Sequence, residues 1–162
     1  MPDTPSPEDL RWLQEAVSLA EDNVRAGGGP FGAIIVQGGR RVAEGQNRVT
    51  RDNDPTAHAE VQAIRAAGRA LGTFELRGTT LYTSCEPCPL CISAALWGRV
   101  DRVVYSANRM DAAAAGFDDH EFYELMETPR DDWALPRVDE VRTADARDPF
   151  ELWRRFDGRI EY

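Results

Sequence analysis

Two short motifs constrain this chain more than anything else in it: His58-Ala59-Glu60 and, further along, Pro87-Cys88-Pro89-Leu90-Cys91. An imidazole and two thiolates supply three ligands for zinc and leave one tetrahedral position open, and a nearby carboxylate can handle protons there. The spacing then limits the fold. Cys88 and Cys91, at i and i+3, share one face on the first turn of a helix. His58 and Glu60, at i and i+2, point to nearly opposite sides of an ideal helix, so they converge only on something lying over a helix end. The chain must therefore bring two helix N-termini to one point, where free N–H groups and the macrodipole favour thiolates and anions.

Zinc in such an open site brings a water to a pKa of about 7, and Glu60 is the natural carrier of its proton. The spacing H-x-E followed by P-C-x-x-C is the signature of the zinc nucleobase and nucleoside deaminases. The opposing reading makes Cys88 and Cys91 small buried hydrophobes and His58 an ordinary helix histidine. Against it stand five elements in the right order, with helix and strand signals between them. Cys85 offers a different alternative: a fourth thiolate would close the site, make the metal structural and leave Glu60 without work.

Length and charge narrow the partners. The 162 residues, 42% of them hydrophobic, suit a single domain spanning 1–162 with one core. The formal charge is −9, and all 19 basic residues are Arg. Such a surface repels phosphate backbones, which makes nucleic acid an unlikely partner unless the arginines cluster, and favours a small neutral substrate. Three cysteines, two of them claimed by metal, suit a reducing compartment. The N-terminus lacks the basic and apolar regions of a signal peptide, and no apolar run is long enough to span a membrane, so the cytoplasm is expected.

Taken in order, Ser6-Pro7 reads as a cap and first turn, after which Leu10, Leu13, Val17, Ala20 and Val24 recur at helical spacing until Gly27-Gly28-Gly29. Ala33 to Val36 and Arg41 to Glu44 form a hairpin across Gly38-Gly39, and Asn47 follows with both a donor and an acceptor for the edge of a base. Phe31, beside flexible glycines, can close over a flat ring. Asp54-Pro55 caps the next helix, which Gly72 ends. Thr79 to Thr83 feeds the cysteine helix, and Arg102 to Tyr105 is a further strand, parallel to the one before it. Gly116 to His120 reads as a polar loop, with Val138 to Val141 a weak strand and Asp148-Pro149 opening an aromatic terminal helix. The sum is α/β: a three-layer α/β/α sandwich with a mixed sheet of about five strands and the site at strand ends.

Several longer stretches sharpen this. Gly29-Pro30-Phe31-Gly32-Ala33, Asn53 to Glu60, Thr83-Ser84-Cys85-Glu86-Pro87-Cys88, Gly116-Phe117-Asp118-Asp119 and the closing Glu161-Tyr162 together resemble the bacterial guanine deaminases of the cytidine deaminase-like fold. The resemblance runs nearly end to end. It implies one Zn2+ per subunit on His58, Cys88 and Cys91, and deamination of guanine at C2 to xanthine and ammonia. Glu60 would move a proton to a ring nitrogen, and Asp119 would help carry one to the departing ammonia, with Asp118 the competing carboxylate. Asn47 and Ala59 would hold the purine, and Phe31 and Trp97 would pack on it. A homodimer is also implied, in which the C-terminal segment, about 137–162, exchanges between subunits and Tyr162 reaches the partner's purine. The alternatives left open are another small aminated ring (cytosine, cytidine, guanosine, a triazine), a tRNA adenosine deaminase, and a silent zinc-binding interaction domain.

Overall fold

The computed structural model describes residues 5–117 and 119–162, but not the side chain of Asp119; Asp118 lies outside the described residues. Its centre is a mixed four-stranded sheet in the order β2-β1-β3-β4. Strand β1 (Gly32–Gln37) pairs antiparallel with β2 (Arg40–Gln46) and with β3 (Thr79–Cys85), and β3 pairs parallel with β4 (Arg102–Ala107). The turn between β1 and β2 needs Gly38 and Gly39, whose φ angles of 56° and 74° lie in the left-handed region.

Alternation along β1 makes the three layers. Ile34 and Val36 pack with Tyr82 against Trp12 and Ala16 of α1 (Pro7–Arg25) on one face. On the other, after the short α2 (Val49–Asp52), Ala33 and Ile35 pack with Leu81 against Ala59, Ala63 and Ala67 of α3 (Ala59–Leu71) and Ala95 of α4 (Pro89–Trp97). Small residues let the helices lie close to the sheet. A Cβ at Gly45 of β2 would come within 2.2 Å of the Ala59 carbonyl oxygen and 2.5 Å of the Ala63 nitrogen, so α3 seats on that strand only because Gly45 has no side chain.

The α/β/α sandwich is as expected, but the described residues contain four strands where about five were predicted. Residues 138–141 form no strand. Charges at Arg137, Asp139, Glu140 and Arg142 surround the two valines there, Val141 is 84% exposed, and the ion pairs that form are local, Arg137 with Asp139 and Arg142 with Glu140. Three further expectations are corrected. The buried stripe of α1 is Asp9, Trp12, Ala16, Ala20 and Asn23, whereas Leu10 and Val24 are about half exposed at 49% and 50%. The cap of α3 is His58, not Asp54, because the Asp54 carboxylate instead closes a turn on the Thr56 N–H and hydroxyl at 2.8 and 2.7 Å. The polar loop is shorter than predicted, since α6 (Asp119–Glu127) begins inside it, after α5 (Arg109–Ala114).

Asp9 explains the first correction. Its carboxylate accepts a fork of hydrogen bonds from Arg102 at 2.6 and 3.1 Å, another from the Tyr82 hydroxyl at 2.8 Å, and one from the Ser6 backbone N–H at 3.2 Å. The Arg102 guanidinium holds the Asp9 pKa well below the usual carboxylate range, and burial and the Asp9 bond push the Tyr82 pKa up to about 12. A depressed folded pKa means that this stability is present above the ordinary carboxylate pKa and lost as pH falls below it. Asp9→Asn is expected to cost about 2 kcal/mol at pH 7, discounted because Arg102 is half exposed, with a melting temperature lower by about 5 °C. The gap should narrow between about pH 4 and pH 2, and thermal melts across that range check it.

Candidate functional site

The predicted ligands come together at two helix starts. His58 is the N-cap of α3 and Cys88 the N-cap of α4, both in extended backbone conformation, and Cys91 lies on the first turn of α4. Pro89 at the first position of α4 costs no hydrogen bond there and presets the helix. The His58 Nδ1 atom lies 3.5 Å from Cys88 Sγ and 3.4 Å from Cys91 Sγ, and the two sulfurs are 3.6 Å apart. A tetrahedral zinc at the usual bond lengths requires about 3.6 Å between nitrogen and sulfur and about 3.8 Å between sulfurs. The donor triangle is thus already the size that zinc needs, and among the described residues these three are the set whose ligand atoms all lie within 4.8 Å of one another. Cys85 is not in it: its thiol donates towards the Asn108 carbonyl at 3.8 Å.

Thiolate character begins at Cys88, whose pKa is drawn down to about 4 by the hydrogen bond it shares with Cys91; Cys91 holds its own proton more tightly as a result. Glu60 is almost fully buried beside them, its Oε2 atom accepting from Cys91 Sγ at 3.3 Å and Oε1 from the Thr83 hydroxyl at 3.1 Å. Burial pushes its pKa up, so it holds a proton more readily than a surface glutamate does. Above the triangle opens a cavity of about 630 Å³, lined among others by Phe31, Asn47, His58, Glu60, Cys88 and Phe117. Phe31 and Phe117 meet edge to face with centroids 4.9 Å apart.

An open three-ligand metal site with a buried carboxylate beside it and a cavity above it is the arrangement that sequence comparison then assigns. The profile described as the cytidine and deoxycytidylate deaminase zinc-binding region matches residues 6–107. The chain belongs to this zinc-dependent deaminase family.

Within the family, the guanine deaminase of Bacillus subtilis is 49% identical over 152 residues, covering 93% of this chain and 97% of that one. Its crystal structure superposes with a TM-score of 0.90 over 94% of this chain and 98% of the other. A tRNA-specific adenosine deaminase of the same organism is 38% identical over 100 residues, 62% of each chain.

The deaminase cavity gathers Phe31, Asn47, His58, Glu60 and Cys88, while Ala59 turns its side chain into the core between the two functional residues that flank it. Trp97 and Tyr162 do not line the cavity of their own chain. They meet each other instead, with centroids 5.8 Å apart, in a separate groove beside Phe74. Trp97 ends α4, and the six residues from Cys91 turn it by about 600°, away from the metal face.

Four contributors were not singled out as site residues from sequence. Thr83 was read only as strand, yet it fixes Glu60. Asn23, fully buried on α1, donates from its amide to the carbonyls of Gly29 and Asn47, both at 2.8 Å, and so ties the glycine turn to the base-reading position. Glu86 lines the cavity with its charge taken up by Arg109, and the Phe117 ring adjoins Phe31 in the cavity lining. Asn23 lies off the apolar stripe expected for α1, so the sequence carries no signal for it, whereas Glu86 and Phe117 lie within the motifs that carry the family resemblance.

Proposed function

We propose that this chain hydrolyses guanine to xanthine and ammonia. The guanine assignment rests above all on a similarity to a guanine deaminase that extends along 93% of the chain, well past the metal motifs. His58, Cys88 and Cys91 hold zinc, which when bound supplies a Lewis acid able to ionise a water at neutral pH. Glu60 takes the proton released as the water oxygen adds to C2 of the base, and delivers it to a ring nitrogen. Its raised pKa, a result of burial, suits a group that must both accept and return a proton. The bond from C2 to the exocyclic amino nitrogen then breaks as the added hydroxyl gives up its proton to become the C2 carbonyl, and Asp119 helps carry that proton to the leaving ammonia.

Asn47 holds the purine edge, with its own backbone fixed by Asn23. Phe31 packs on the ring, and Ala59 contributes backbone at the mouth of α3. The single domain acts as a homodimer in the cytoplasm, with none of Cys85, Cys88 and Cys91 in a disulfide. The segment of about 137–162 crosses to the second copy, bringing Tyr162 over the purine there. Exposed apolar side chains on α7 (Asp148–Arg155) support that arrangement: Phe150 and Leu152 are each 70% exposed in the lone chain. Among the described residues no helix is long and apolar enough to cross a membrane.

The direct test is incubation of zinc-loaded protein with guanine, following xanthine and ammonia together. Equal amounts of both are expected; guanine left intact would refute the proposal. Removal of Glu161 and Tyr162 is expected to lower kcat/KM by about 10²-fold through loss of cover and alignment over the base. Full activity of the truncated protein would rule out the role given to Tyr162.

A further inference from the structure

The metal-bearing turn is fastened to the aromatic wall of the cavity by a cluster that the chemistry above does not use. Glu86 and Pro87 directly precede the ligand Cys88. The Glu86 carboxylate accepts three hydrogen bonds from Arg109: from its backbone N–H at 2.9 Å, from Nε at 3.1 Å and from Nη2 at 2.6 Å. The Glu86 N–H in turn donates to the Ala107 carbonyl at 2.8 Å. The Arg109 guanidinium lies 3.6 Å from the centroid of the Tyr123 ring, and the Tyr123 hydroxyl donates to the Pro87 carbonyl.

Arg109 starts α5 and Tyr123 lies on α6, so the two brace the turn between those helices from both sides. That turn carries Phe117, whose N–H is held by the Ala112 carbonyl at 3.1 Å and whose ring meets Phe31. Phe122, next to Tyr123, lines the same cavity.

We propose that Arg109 and Tyr123 are positioning residues that hold the Phe117 wall at a fixed distance from the metal-bearing turn, and so set how tightly a flat base is gripped. Neither touches the reacting atoms. Both act through Phe117, and the inference rests on the base-deaminase reading given above. Two guanidinium donors, Nε and Nη2, on one oxygen of a part-buried carboxylate and an aromatic stack on the same guanidinium fix its plane, which a lysine cannot reproduce.

The test is a double-mutant cycle on the zinc-loaded protein with guanine. Tyr123→Phe is expected to raise KM about threefold to tenfold, with kcat and zinc content within about twofold of the parent. In a Phe117→Ala background the same change is expected to move KM by less than about twofold, because the wall it positions is gone. Arg109→Lys, which keeps the charge but loses the paired donors, should follow the same pattern and serves if Tyr123→Phe folds poorly. A merely structural role would lower yield or melting temperature without this coupling. An unchanged KM in both variants, or an equal rise in both backgrounds, overturns the inference. Parent protein that leaves guanine intact overturns the functional reading and this inference together; turnover by the parent with uncoupled variants overturns this inference alone.

Discussion

Glu60→Gln is expected to lower kcat by about 10²- to 10⁴-fold while zinc stays bound at one per chain. Gln keeps the size of the side chain and can still face the Thr83 hydroxyl and the Cys91 thiol that now contact the two carboxylate oxygens. What it cannot do is accept a proton from water and return it to the base. Folding should be spared, since the substitution removes a buried charge instead of creating one. Steady-state turnover of guanine with metal analysis of the same sample reads both quantities. An active Glu60→Gln protein would remove Glu60 from the proton path; loss of zinc together with activity would make its role structural.

Cys91→Ala should lose both metal and activity. The 3.6 Å and 3.4 Å edges that Cys91 makes with Cys88 and His58 vanish, and two ligands are left where zinc takes at least three protein groups in a catalytic site. The water pKa falls from 15.7 to about 7 on zinc, so loss of the metal leaves room for a drop in turnover of at least about 10³-fold. Zinc content should fall from one per chain to near zero in dialysed protein. A ligand that binds only the folded state also stabilises it, so chelation of the parent protein should lower its melting temperature, and the same chelator should leave Cys91→Ala unmoved. Full zinc occupancy in Cys91→Ala would contradict the ligand set.

The metal site could be read from sequence because its constraints are local. His58 and Cys88 cap their helices and Cys91 sits on the first turn of α4, so spacing alone limits which groups can meet over the two helix ends, although α4 begins at Pro89, two residues later than Pro87 suggests. The sheet followed from Gly38-Gly39 and the apolar run at Ala33 to Val36, whose alternation supplies both faces. What sequence hid was long-range. Asp9 and Asn23 belong to the buried stripe of α1 because Arg102 and Tyr82, and the carbonyls of Gly29 and Asn47, come to meet them. No periodicity in apolar residues reveals a buried polar stripe. The family resemblance implies a pocket aromatic at Trp97, but about one and two-thirds turns of helix beyond Cys91 carry it into another groove. Glu86 and Arg109 lie on separate elements, and only their meeting shows that the charge is there to hold a turn.

The measurement closest to the central claim is kcat/KM of the zinc-loaded protein for guanine against adenine, cytosine, cytidine and tRNA, by ammonia release. A site built to hydrogen-bond one base can reject others by about 10⁴-fold or more, because its polar groups are left unpaired on the wrong ring. The expected result is turnover of guanine at least about 10³-fold above every other substrate, abolished in Glu60→Gln. Preference for adenine in tRNA, for cytosine or for cytidine would keep the hydrolytic chemistry and contradict the assignment of the base; no release from any of them would contradict the enzyme itself.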